Sequence, residues 1–372
     1  MSLQEKIVGL HRRIIDPEEG GDALTVCRAV LAIPAILYGL LARLRNRAYD
    51  TGLKSVQRVN RPVISVGNIT AGGTGKTPFV AWLCERLRSA AQKPAILSRG
   101  YGANERTGVD DENEMLASVI PDVPVVVNPD RVAGAKMAIE DHDADVLVMD
   151  DGFQHRRLHR DLDIVLIDAL QPFGGGHMLP RGTLREPPGG LRRAEVVVIT
   201  RAGQVSDAHL SELTEELRKY SDPVALATAN HAPVGLEPVG QERKESLSGS
   251  CEEVRAQRWG AFCALGNPEG FRRTLEEIGV EVAFFRAFPD HHAYERKDLE
   301  QLQRRALTED CRGLLTTQKD AVKVSSLSEH GCPLPILAVE VRMAFGRGEE
   351  ELWDTISQKL GLSDGVASGL DR

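Results

Sequence analysis

Residues 61–78 read Arg61-Pro62-Val63-Ile64-Ser65-Val66-Gly67-Asn68-Ile69-Thr70-Ala71-Gly72-Gly73-Thr74-Gly75-Lys76-Thr77-Pro78. The apolar run from Pro62 to Val66 reads as a buried strand, and a glycine-rich turn follows at once. Glycines let successive backbone amides converge on one anion. A strand, such a turn and a helix opening at Gly-Lys-Thr are therefore the parts of a P-loop. Lys76 would balance phosphate charge, the Thr77 hydroxyl suits Mg²⁺, and Pro78 suits an early helical position that needs no amide donor. The usual pattern has a glycine five residues before Gly75, where this chain has Thr70. Thr70, Ala71, Gly72, Gly73, Thr74, Gly75, Lys76, Thr77 and Pro78 are the expected nucleotide-binding residues.

A second apolar run, Asp145 to Met149, ends in Asp150 and Asp151. Taken alone, a strand followed by two aspartates is more often a turn than a metal site. Parallel strands deliver their C-terminal ends to one sheet edge, however, so Asp150 and Thr77 are placed to share one Mg²⁺ beside the phosphates.

The 372 residues, 42% apolar and 27% charged, are ordinary for soluble globular material and give room for two domains. A formal net charge of −8 argues against a general nucleic-acid binder. Cys27, Cys84, Cys251, Cys263, Cys311 and Cys332 form no C-x-x-C pair, which fits reduced cytosolic thiols.

Ala29 to Ala42 contains no charge, and those fourteen residues fall short of the roughly 20 needed to span a bilayer. Arg43, Arg45, Arg47, Lys54, Arg58 and Arg61 follow, against the single acid Asp50. An apolar helix edged by cations suits the headgroup region of an anionic membrane face. A buried core helix interrupted by Pro34 is the other reading, and the residues alone leave both open.

Beyond the P-loop helix, apolar runs at Pro94–Leu97, Val123–Val127, Val146–Met149, Ile164–Ile167 and Val196–Thr200 alternate with helical or loop segments. The alternation predicts an α/β fold, P-loop NTPase-like, with a mostly parallel sheet and helices on both faces. A polar stretch then breaks the pattern, which resumes at Ala261–Leu265 and continues to a last helix from about Glu349. The expected segments are 1–50, apolar and basic, 51–235, the nucleotide-binding domain, 236–258, a linker, and 259–372, a second smaller α/β domain. A ligand cleft is expected between the two domains.

Other constellations carry charge to the same region. Ser98-Arg99-Gly100-Tyr101-Gly102 follows a strand on the P-loop edge, and Asp110-Asp111-Glu112 adds carboxylates there. Arg181 and Arg185 offer cations suited to substrate phosphates. Asp290-His291-His292 follows a strand of the second domain and suits proton transfer; such a cluster is otherwise structural or exposed.

Together these motifs resemble the tetraacyldisaccharide 4′-kinase family of lipid A biosynthesis. The matching pieces run in order through nearly the whole chain: PVISVGNITAGGTGKTP at 62–78, SRGYG at 98–102, Asp111-Glu112, PDR at 129–131, DDGFQHRRL at 150–158, LPRGTLREP at 179–187, GNPE at 266–269, FPDHHAY at 288–294 and TTQKDAVK at 316–323. Two departures are Asp110-Asp111-Glu112-Asn113 for the family's G-D-E-P and Thr317-Gln318-Lys319-Asp320 for its T-E-K-D.

The resemblance implies Mg²⁺-dependent transfer of the ATP γ-phosphoryl group to the 4′-hydroxyl of a tetraacyldisaccharide 1-phosphate, giving lipid IVA. It implies Asp111 as catalytic base, His291 as its partner, Lys76 on the phosphates, and Glu112 beside a metal held by Thr77 and Asp150. Asp151, Gln154, Arg99, Arg131, Arg181, Arg185 and Asp290 complete the candidate site. Asp111 is expected on the first domain and His291 on the second, so that the pair forms on closure. The apolar N-terminal helix then looks like a monotopic anchor on an anionic membrane surface, at the cytoplasmic face of the bacterial inner membrane. A GTPase-like switch or a metallochaperone ATPase is the competing class. It needs a guanine-reading N-K-x-D or a cysteine pair, and neither occurs.

Overall fold

The computed structural model describes residues 13–14, 20–100, 111–240, 251–255, 257–289, 292–328 and 333–362; of residues 111, 112 and 114 it describes the backbone alone. The chain forms two compact units. The first comprises Met1–Gly100, Val119–Asn230 and Ala344–Arg372, the second Tyr101–Ser118 and His231–Met343.

In the first unit, β1 (Val63–Gly67), β2 (Pro94–Ser98), β3 (Val125–Val127), β4 (Val146–Asp150), β5 (Leu162–Asp168), β6 (Val196–Thr200) and the start of β7 (Ala225–Pro238) lie in the order β3-β2-β4-β1-β5-β6-β7. All these neighbours pair in parallel. β1, β2, β4 and β6 are buried at every residue, as parallel strands covered on both faces are. Around them run α1 (Asp22–Asp50), α2 (Lys76–Ser89), α4 (Arg131–His142), α5 (Asp207–Arg218) and α9 (Glu349–Leu360). The Asp130 carboxylate starts α4 by accepting the Val132 amide at 3.0 Å.

The second unit holds α3 (Asp111–Val119) up to Ser118, then β8 (Arg258–Cys263), α6 (Pro268–Ile278), β9 (Glu281–Ala287), α7 (Arg296–Thr308), β10 (Leu314–Thr317), α8 (Gln318–Ser328) and most of β11 (Ile336–Arg347). Its strands run β11-β10-β8-β9, again parallel. Two apolar clusters support it, one around Trp259, Phe271 and Leu275, the other around Phe262, Tyr294 and Leu299.

The expected α/β architecture is therefore present, with its strands within a few residues of the predicted runs. The division of the chain differs from the single cut expected at 236–258. The chain leaves the first unit after β2 and re-enters it before β3, and its C-terminal helix α9 returns to that unit. Contacts, not sequence order, set the boundary: Trp82 on α2 packs against Phe345 in a tilted ring contact, centroids 4.6 Å apart, and donates to Glu349 at 3.1 Å. β7 was not anticipated. It runs through the first residues of the expected linker to Pro238.

Helix α1 spans 29 residues, about 43 Å at 1.5 Å per residue. It is continuous through Pro34, and by length and composition it is apolar enough to cross a membrane. Its buried stripe is Ala35, Gly39, Ala42 and Asn46, spaced 4, 3 and 4 residues. The opposite face leaves Ile33, Ile36, Leu37, Leu40, Leu41 and Leu44 at least half exposed. A buried core helix is thereby set aside.

Candidate active site

The edge where the strands end is built by close approach. A Cβ on Gly67 would lie 2.7 Å from Cβ of Phe153, so the turn after β4 packs directly on the end of β1. The register agrees, with Val66 opposite Asp150. The glycine loop thus begins beside the acid pair.

Gly75 precedes α2 with φ 83°, in the left-handed region where a side chain is strained. The amides of Gly73, Thr74, Gly75, Lys76 and Thr77 find no acceptor among the described residues, and a helix start is where such orphan donors attract anions. The loop's carbonyls are held from β6: Thr200 Oγ1 donates to Thr74 O at 2.9 Å, and Arg201 Nη2 to Gly73 O at 2.7 Å. Arg201 is itself paired with Asp168. One expected nucleotide contact is used inside the chain, since the Ala71 amide donates to Thr183 O at 2.6 Å.

Lys76 Nζ lies 3.5 Å from Asp151 Oδ1 and donates to Asn68 Oδ1 at 3.3 Å. Arg185 Nη1 donates to the same Asp151 oxygen at 2.7 Å. Asn68 is locked in turn by Thr70 O at 2.8 Å and by Gln154 Nε2, which reaches its carbonyl at 2.8 Å. Asp151 adopts φ 50°, an uncommon conformation for a residue with a side chain, and one that recurs at functional sites. Burial pushes its carboxyl up, but Lys76 and Arg185 outweigh that and bring it to about 2. It is a carboxylate at every working pH.

Asp150 is buried, its Oδ1 accepting the Asp151 amide at 3.0 Å. Its carbonyl accepts Arg131 Nη2 at 2.8 Å. Burial lowers the proton affinity of Arg131, opposed by the charges of Asp150 and Asp151. Thr77, half-buried on the first turn of α2, and Asp150 are hard-oxygen donors. Mg²⁺ favours such a pair together with substrate phosphates and water over a closed protein cage. Among the described residues no cluster of three or more His, Cys, Asp or Glu side chains forms a closed cage.

The remaining expected residues divide. Arg99 follows β2 and acts electrostatically on Arg131. Arg181 sits beside His177, whose proton affinity burial and the Arg181 charge both lower. Asp290 and His291 lie outside the described residues, as do the side chains of Asp111 and Glu112. The backbone of Asp111 belongs to the second unit, as does the chain on either side of 290–291. That corrects the expectation that Asp111 stands on the first domain. βα alternation alone hid the assignment of 111–118 to the second unit.

Four residues were missed: Asn68, Thr200, Arg201 and His155. Asn68 lies inside the quoted loop, and Thr200 and Arg201 close a strand on the same edge. That edge position was the available signal. Burial, with the Arg131, Arg160 and Arg99 charges, pulls His155 down to about 4, so it is neutral at pH 7.

A parallel sheet whose first strand ends in this lysine-bearing glycine loop, beside an acidic strand end, defines a P-loop nucleotide-binding protein. The sequence profile of tetraacyldisaccharide-1-P 4′-kinase matches residues 27–361. The chain belongs to that family. The tetraacyldisaccharide 4′-kinase of Anaeromyxobacter dehalogenans is 40% identical over 322 residues, 82% of this chain and 84% of that one. That of Geobacter sulfurreducens is 38% identical over 352 residues, 90% and 95% of the two chains. Among solved structures, LpxK of Aquifex aeolicus in complex with ATP superposes with a TM-score of 0.69 at 29% identity, covering 90% of this chain and 99% of that one. The switch and metallochaperone alternatives find no support in these matches.

Proposed function

We propose that this chain is an ATP-dependent kinase that phosphorylates the 4′-hydroxyl of a tetraacyldisaccharide 1-phosphate, giving lipid IVA. The observation that carries the reading is the Lys76–Asp151–Arg185 cluster at the mouth of the glycine loop, in a chain of this family. The loop amides and Lys76 hold the β- and γ-phosphates, and Arg185 adds a cation as charge develops on the transferring group. Thr77 and Asp150 would hold Mg²⁺, with Glu112 nearby; the ion would neutralise phosphate charge when bound. Asp111 takes the acceptor proton late in transfer, oriented by His291.

The substrate carries acyl chains, and α1 offers it a route. Its exposed apolar face and the exposed cations Arg43, Arg47, Lys54 and Arg58 suit the headgroup region of an anionic membrane. Its C-terminal half is tied to the first unit, Arg156 pairing with Asp50 at 2.9 Å and Arg192 with Asp50 at 2.7 Å. A helix clamped along one side lies on the bilayer and does not cross it. The reading places the protein at the cytoplasmic face of the bacterial inner membrane, where ATP is available.

The test is a phosphotransfer assay with Mg²⁺–ATP and a tetraacyldisaccharide 1-phosphate. Wild-type protein should form the 4′-phosphate, and Lys76→Ala should lose at least about two orders of magnitude in kcat while keeping its circular dichroism. ATP hydrolysis with no phosphorylated acceptor would refute the assignment.

A further inference from the structure

Residues 183–186 stand between the helix α1 and the glycine loop, bonded to both. On the loop side, Thr183 O accepts the Ala71 amide at 2.6 Å, and the Arg185 amide donates to Ile69 O at 2.8 Å. Thr70 and Leu184 form an antiparallel bridge, and the Arg185 guanidinium holds Asp151, the partner of Lys76. On the helix side, Tyr38 OH donates to Arg185 O at 3.2 Å. Asn46 Nδ2 donates to Glu186 Oε1, a fully buried carboxylate also gripped by Arg193 at 2.7 and 3.0 Å.

The seat of α1 is correspondingly exact in shape. A Cβ on Gly39 would come within 3.2 Å of Met178 Cγ, so a side chain there needs Met178 or the helix to give way by a few tenths of an ångström. Asn46 is polar at a buried position within an apolar stripe, and its carbonyl is bonded by Arg156 at 2.9 Å. Anchorage alone needs none of these bonds, because the lipid-facing side of the helix is the opposite one.

We infer that α1 is also a positioning element: Tyr38 and Asn46 set the 183–186 segment, and through Arg185 and Asp151 they set Lys76 for phosphoryl transfer. The inference rests on the kinase reading of the site. Displacing α1 would shift one backbone segment that carries both the Arg185 side chain and two ties to the loop. Seating the helix and arming the glycine loop are therefore one event.

The test uses the full chain in mixed micelles of lipid substrate and detergent, with Tyr38→Phe, Asn46→Ala and their combination. Tyr38→Phe removes a single hydroxyl and keeps the ring, so folding is preserved if Asn46→Ala proves unstable. Each single variant should lower kcat by up to about tenfold, the size one hydrogen bond's contribution permits, with KM for the lipid acceptor within twofold of wild type. Amide hydrogen exchange should accelerate at Ala71 and Arg185, whose amides make the two bonds between loop and segment, while vesicle binding stays unchanged. Lowered thermal stability with normal kcat and unchanged exchange at Ala71 and Arg185 would overturn the inference and make these bonds packing only. A wild-type protein without kinase activity would instead sink the functional reading on which it rests.

Discussion

Lys76 and Asp151 sit 3.5 Å apart, and Asp151 is simultaneously bonded by Arg185 at 2.7 Å. The loop lysine is thus held by a carboxylate that already has a second cation. A phosphate entering the loop would bring a second negative charge to the same lysine, so Lys76 can bridge the phosphate and Asp151, while Arg185 keeps the Asp151 carboxylate in place.

Asp151→Asn should therefore fold and still bind ATP, because the amides of 73–77 remain. It should lose roughly ten- to a hundredfold in kcat, since Lys76 and Arg185 lose the charge that orients them. Steady-state kinetics beside calorimetric ATP titration separate the two effects. A variant with weakened ATP binding and normal kcat would show that Asp151 acts on affinity alone.

The same pair predicts an acid-sensitive increment of stability. The folded Asp151 carboxyl lies near 2, against an ordinary value of 3.8. A depressed acid contributes stability that is fully present above its unfolded value and lost as pH falls through the folded one. The contribution is on the order of 2 kcal/mol at pH 7, flat down to about pH 4 and fading toward pH 2. Urea unfolding of wild type and Asp151→Asn should differ by that amount at pH 7 and converge below pH 3. A gap that stays constant across this range would rule the linkage out.

Much of this edge was legible in the chain. Buried parallel strands such as β4 and β6 appear as nearly unbroken apolar runs, and the glycine loop has local backbone requirements that few sequences satisfy. β7 was not legible: its residues include Thr228, Asn230, His231 and Glu237, and its half-buried pattern resembles loop more than strand. The clamp on α1 was equally hidden, since Asn46 and Glu186 are 140 positions apart and each alone is an unremarkable polar residue. The return of α9 to the first unit depends on aromatic contacts that no local pattern announces.

The two faces of α1 should separate experimentally. Ile33, Leu37 and Leu40 share the exposed side, and replacing all three by Glu removes apolar area that would enter lipid while sparing the buried stripe. Binding to anionic vesicles should fall by two orders of magnitude or more, at about 1.5–3 kcal/mol per lost side chain. Co-sedimentation measures it directly. If the intact chain already remains in the supernatant without detergent, the membrane reading is wrong.

We propose Asp111 as the base of the reaction and His291 as its partner. Phosphoryl transfer through a loose transition state needs the acceptor hydroxyl in line and a carboxylate to accept its proton late. Asp111 opens α3, which the fold assigns to the second unit, and the chain flanking His291 belongs to that unit as well. His291 would orient Asp111 and tune its proton affinity, leaving the glycine loop and its ATP contacts untouched. Asp111→Ala and His291→Ala should each lower kcat by about two to four orders of magnitude, with modest change in ATP affinity. The double variant should be far less impaired than the product of the single losses, because groups that act as a unit are removed only once. Multiplicative losses, or normal kcat in His291→Ala, would show that Asp111 works without the histidine.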